Sequence, residues 1–159
     1  MKSKTGKEKK VEFEIEKAWT DALESGNYGQ VDGQLVDAFR SGDEVHAEGY
    51  CCLGVLAEVL CEIRPSLIRR GTGNTDKPIS WEWKEGDHWL PVDDGNLPDQ
   101  LCSTIGLNPY DRECLIKMND GDGEVLMHEF AEIAAAIKSH NIESHMRVDA
   151  SYWEESEPF

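Results

Sequence analysis

The sequence predicts one helix-dominated α+β domain with a small antiparallel β-sheet, and three observations carry that prediction. The first is the stretch Gly49–Ile63. There Cys52, Val55, Leu56, Val59, Leu60 and Ile63 recur at the three- and four-residue spacing of a helical stripe. Only Glu58 and Glu62 are charged in it, so protein can cover nearly every side and the other segments are expected to pack around it. The second is a pair of short segments, 79–83 and 88–90, with the alternation or aromatic content of half-buried strands. The third is size. A chain of 159 residues with 39% apolar content suits one core, whereas two halves would each be marginal.

Taken in order, residues 1–10 hold five lysines and read as a disordered basic arm. The globular domain is expected over 11–141, followed by an acidic tail over 142–159. A first helix follows from about Glu12 to Glu24 on the stripe Ile15, Trp19, Ala22 and Leu23, with Trp19 as a core anchor and Ser25-Gly26 as its stop. Between Asn27 and Gly49 a small hairpin is expected, Leu35–Phe39 against Val45–Ala47, turning at Ser41-Gly42-Asp43. The central helix runs from about Tyr50 to the residues before Pro65, which cannot continue it. It should pack against the first helix and the last.

Residues 66–96 are less regular. Arg69-Arg70-Gly71-Thr72-Gly73-Asn74 reads as an exposed loop, and Ile79–Trp83 as a strand turning at Gly86-Asp87 into His88–Leu90. Trp81 and Trp83 should face one side of that strand, either core or a binding groove. Leu97–Ile105 is a short helical piece. Asn108 as N-cap with Pro109 at N1 starts a helix through Met118. Asn119–Gly123 is a turn, with Asn119 and Asp120 capping neighbouring backbone groups. A last helix over Glu124–Ser139 follows from Leu126, Phe130, Ile133, Ala134 and Ile137. In the tail, Met146, Val148, Tyr152 and Trp153 are the residues able to clip it to the body.

Charge is the strongest global signal. The chain carries −16, and residues 11–159 alone hold 11 basic against 31 acidic side chains, which is −20. Such a body repels nucleic-acid phosphates and anionic membranes, and it suits a basic protein surface. The plainer reading is a solvated acidic surface that serves solubility. No apolar run approaches the ~18 residues of a membrane span, and the lysine-rich start lacks a signal peptide's apolar stretch. The expected location is the cytoplasm, of its own cell or a host's.

Sites are sparse. The five cysteines, 51, 52, 61, 102 and 114, contain no C-x-x-C pair and read first as small buried apolar groups. A nucleophilic site would have to combine Cys51 or Cys52 with His46 or His88. The acidic turn at 119–123 fails as a calcium loop, since Val125 and Ala131 stand where glycine and a bidentate glutamate are needed. No cofactor motif or metal-ligand spacing is present. Arg69, Arg70 and Lys77, with Trp81 and Trp83 nearby, form the one locally positive region after the arm and the place to look for a small anionic ligand.

Three pieces carry a family resemblance: Trp19–Gln30 (W-T-D-A-L-E-S-G-N-Y-G-Q), Tyr50-Cys51-Cys52-Leu53-Gly54-Val55-Leu56, and Leu115–Asp120 followed by Phe130–Ala134. In this order they resemble a group of small uncharacterised proteins of tailed bacteriophages and prophages. The join after Asn119-Asp120 is longer here than in that group. The resemblance implies a phage origin and a role inside an infected host, and it carries no catalytic residues. The leading expectation is therefore a phage-encoded, non-enzymatic accessory protein that binds and modulates a host or defence protein. A nucleotide-like small-molecule binder is the second expectation, and a cysteine-dependent enzyme the third.

Overall fold

A computed structural model describes residues 6–41, 44–70, 80–92, 96–122 and 124–148, with the backbone alone for 6–11, 38–41 and 44–48. Among these residues the chain forms a helix-dominated α+β domain. The elements are α1 (Gly6–Glu24), β1 (Val36–Ser41), β2 (Glu44–Tyr50), α2 (Cys52–Ile63), β3 (Ile68–Arg70), β4 (Trp81–Glu85), β5 (His88–Pro91), α3 (Asp99–Ser103), α4 (Pro109–Asp120) and α5 (Phe130–Ser139), with a 3-10 helix at Ile142–His145. β1 and β2 form an antiparallel hairpin. β3, β4 and β5 form a separate antiparallel sheet in that order.

α2 is the centre of the core. Every residue from Cys52 to Leu60 is buried except Glu58, as its nearly uncharged surface requires. It packs on α1, on α4 and on β3. α5 lies chiefly against α1 rather than against α2, and the Lys138–Glu24 ion pair and a His140–Glu16 hydrogen bond tie these helices together. The expected direct partnership of the last helix with the central one is thus replaced by α4. Its face of Cys114, Leu115 and Met118 is buried, and the Cys52 thiol reaches the Leu115 carbonyl.

Several boundaries differ from expectation, and α4 runs through Asp120 rather than stopping at Met118, which makes Asn119 and Asp120 its last residues instead of turn residues. α1 begins at Gly6, so the last residues of the lysine-rich segment are helical. Arg69 and Arg70 are not in a loop but in β3, whose register sets Ile68 opposite Trp83 and Arg70 opposite Trp81. α5 begins at Phe130 because Glu129 and Glu132 form a reciprocal capping box there. Leu126, the first residue of the expected stripe, is 40% exposed. Its amide donates to the Arg147 carbonyl, and Val125 bridges to Val148. The start of the tail is therefore part of the body, with Ile142 buried and Met146 packed against the core. The turn residues Gly42 and Asp43, and Tyr152 and Trp153, lie outside the described residues.

Candidate functional site

The sheet residues are divided by the pleat, which points alternate side chains to opposite faces. On one face Trp81 is buried, with Ile68 and half-buried Trp83 beside it. Arg70 lies on that face and pairs with Glu58 of α2 at 3.2 Å. Glu58 also accepts from the Tyr50 hydroxyl at 3.2 Å, and Tyr50 packs edge-on to Tyr28 and 6.5 Å from the Trp81 ring. Burial, reinforced by the Glu58 charge, pushes the Tyr50 hydroxyl up to about 12. On the other face Arg69 pairs with Glu82 at 2.8 Å and lies 4.4 Å from the centre of the Trp89 ring. Arg69 and Arg70 are thus separated and each already holds a carboxylate. Lys77 lies outside the described residues. The Trp81 Nε1 is buried without a hydrogen-bond partner among the described residues.

The pieces that carried the resemblance converge elsewhere, at the start of α2. Its N-cap residue, Cys51, supplies no side-chain cap. Asn119 supplies it instead, its Oδ1 accepting from the Cys52 amide at 3.1 Å across 67 positions of sequence. The same oxygen accepts from Gln30 Nε2, which also donates to the His128 carbonyl at 2.8 Å. Asn119 Nδ2 donates to the Val31 carbonyl at 2.8 Å, and Asp120 accepts from the Gly33 amide. Asn119 and Asp120 therefore cap remote segments, not the neighbouring backbone expected of a turn. Trp19 Nε1 donates to the Cys52 carbonyl at 2.9 Å, fixing α1 to the same turn. Above Gly54 the Leu35 carbonyl approaches so closely that an added Cβ would stand 1.9 Å from its oxygen.

This convergence is structural in character. Burial pushes the Cys51 thiol up to about 11 against the smaller opposing pull of the Gly54 and Leu53 amides, and it pushes Cys52 well up. Burial and the raised thiols both oppose a nucleophilic role for Cys51 and Cys52. His88 stands exposed on β5, and the His46 side chain lies outside the described residues. His128, absent from the expectations, is fully buried. Its Nδ1 lies 2.6 Å from the Leu126 carbonyl and its Nε2 accepts from the Arg147 amide at 3.0 Å. A ring proton on Nδ1 serves the Leu126 carbonyl and leaves Nε2 to accept from Arg147, with the His145 carbonyl 3.2 Å from the same nitrogen, so His128 holds 145–147 against the body. Among the described residues no group of three or more His, Cys, Asp or Glu could hold a metal ion.

A groove of about 490 Å³ runs between the first half of α1 and the segment joining α3 to α4. Ile15, Trp19, Leu107, Ile137 and Ile142 contribute apolar lining, and Glu12, Glu16 and Asp111 carry the negative charge. Phe13 lines one edge and is 63% exposed. His140, left-handed at φ 57° at the end of α5, donates from its ring to Glu16 at 2.7 Å. A second hollow of about 470 Å³ shares Gly106 and Leu107 with the groove. Sequence periodicity assigned Ile15, Trp19 and Ile137 to the core rather than to a groove, and it singled out neither Leu107 nor Ile142. The available signal was Phe13, an aromatic residue off the α1 stripe in an otherwise charged turn.

Fold and site together define a small α+β domain closed by a polar network around one central helix, with no assembled catalytic constellation among the described residues. The chain belongs to a family described as a domain of unknown function, DUF8296, whose model matches residues 11–141. Comparison with curated proteins and with solved structures gives no match. No helix among the described residues is long and apolar enough to cross a membrane.

Proposed function

We propose that this is a phage-encoded, non-enzymatic accessory protein that binds a basic surface of a host or defence protein in the host cytoplasm and modulates it. The supporting observation is the disposition of charge. Arg69, Arg70, Arg112, Lys138 and Arg147 are each paired with a carboxylate of the same chain. With those cations neutralised internally, the −16 excess is what an approaching partner meets. The phage origin rests on the motif resemblance. Affinity capture from host lysate at low and high salt tests the reading. A specific basic partner that is lost at high salt is expected, and the absence of any specific partner at low salt overturns it.

A nucleotide-like ligand on the β3–β5 sheet is the second reading, supported by the unpartnered Trp81 Nε1. It is the weaker of the two, because both arginines of that sheet already hold carboxylates. A nucleotide at 100 times its dissociation constant would stabilise the protein by about 2.7 kcal/mol. A thermal-shift screen in which no nucleotide raises the Tm removes this reading.

A further inference from the structure

We infer that the groove between α1 and the α3–α4 connection is the docking site for a basic amphipathic helix of a partner protein, an inference that rests on the protein-binding reading above. Ile15, Trp19, Leu107, Ile137 and Ile142 give the floor its apolar surface. At its open edge Phe13 exposes an aromatic ring whose burial is worth more than that of any other single contact available there. Among the described residues the charged side chains lining the groove are Glu12, Glu16 and Asp111, of which Glu16 also holds His140 and Asp111 also accepts from the Asn108 side chain.

Apolar floor and acidic edge together describe the complement of one ligand pattern. A helix with large apolar residues at i, i+3 or i+4 and i+7 lays them along the floor, and lysines or arginines flanking that stripe reach the carboxylates. The second hollow beyond Gly106 and Leu107 makes the surface a track rather than a closed chamber. A track suits a chain segment better than a compact small molecule.

The test is a titration of the full-length protein with a synthetic lysine-rich amphipathic peptide of about 15 residues, long enough to hold a helix. A scrambled peptide of equal composition serves as control. The amphipathic peptide should bind more tightly than the scrambled one, and its affinity should fall as salt rises. Phe13→Ser should weaken it about tenfold or more, and Glu16→Lys should weaken it several-fold with a shallower salt dependence. Leu90→Ser, on the distant sheet, should leave it unchanged. Phe13 is exposed, so its variant is expected to keep the wild-type melting temperature, which circular dichroism checks.

Equal binding of both peptides, unaffected by Phe13→Ser and Glu16→Lys, overturns the groove while leaving the acidic protein-binding reading in place. Binding of neither peptide at low salt, together with no partner captured from lysate, overturns both. A dimer that Phe13→Ser dissociates overturns the inference in favour of a second copy of this chain. In that case sedimentation velocity would show the change in mass without any peptide.

Discussion

Truncating Asn119 to alanine would strand two backbone groups in the interior, the Cys52 amide and the Val31 carbonyl. A lost N-cap costs about 0.5–2 kcal/mol, and each buried group left unpaired about 1–3 kcal/mol. Asn119→Ala should therefore destabilise the protein by about 2–4 kcal/mol, read as a lower urea midpoint at unchanged slope. The motif pieces were legible in the sequence, but their purpose was not. An Asn-Asp pair before glycine is ordinarily a local cap, and nothing in a one-dimensional pattern pairs position 119 with position 52. His128 was illegible for the same reason, since the atoms its ring meets all belong to backbone.

At the level of elements, α2 owes its position to a missing side chain as much as to its apolar faces. The Leu35 carbonyl occupies the space a Cβ at Gly54 would need, and a backbone oxygen cannot swing away as a flexible side chain can. Gly54→Ala should destabilise by about 1–3 kcal/mol or more, although alanine is the better helix former by about 1 kcal/mol. A Tm that rises in this variant would refute the close approach. α1 and α2 were legible from their apolar stripes, although Ile63 at the end of the second is 39% exposed, and α4 was legible from its Asn108-Pro109 start. β3 was not, because three residues reading Ile-Arg-Arg show too little alternation, and the register with Trp81 and Trp83 is supplied by the partner strand. The start of α5 was misjudged because Leu126 fits the helical spacing while its backbone is taken by the tail.

At the scale of the whole molecule, the cysteines report on integrity. All five are free, and burial is the first cause of the upward shift of every one. For Cys51, moving from 9.0 to about 11 lowers the thiolate fraction near neutral pH about a hundredfold. A thiol-reactive reagent at neutral pH should therefore label the native protein slowly and all five sites quickly once urea unfolds it. Rapid native labelling of Cys51 would restore the nucleophilic reading that its burial now opposes. The charge balance was legible from composition alone. Its distribution was not, because ion pairs such as Arg147–Glu132 and Lys138–Glu24 form only once distant segments meet.

The cap on α2 also sets an order of events during synthesis. The helix at the centre of the core is complete in the chain by Ile63, yet the acceptor for its first amide arrives only with Asn119. A nascent chain halted short of Asn119 holds its most apolar segment with an open end and without the α4 face that covers it. The domain therefore closes late on the ribosome, since everything through Asn119 must emerge before its centre is capped.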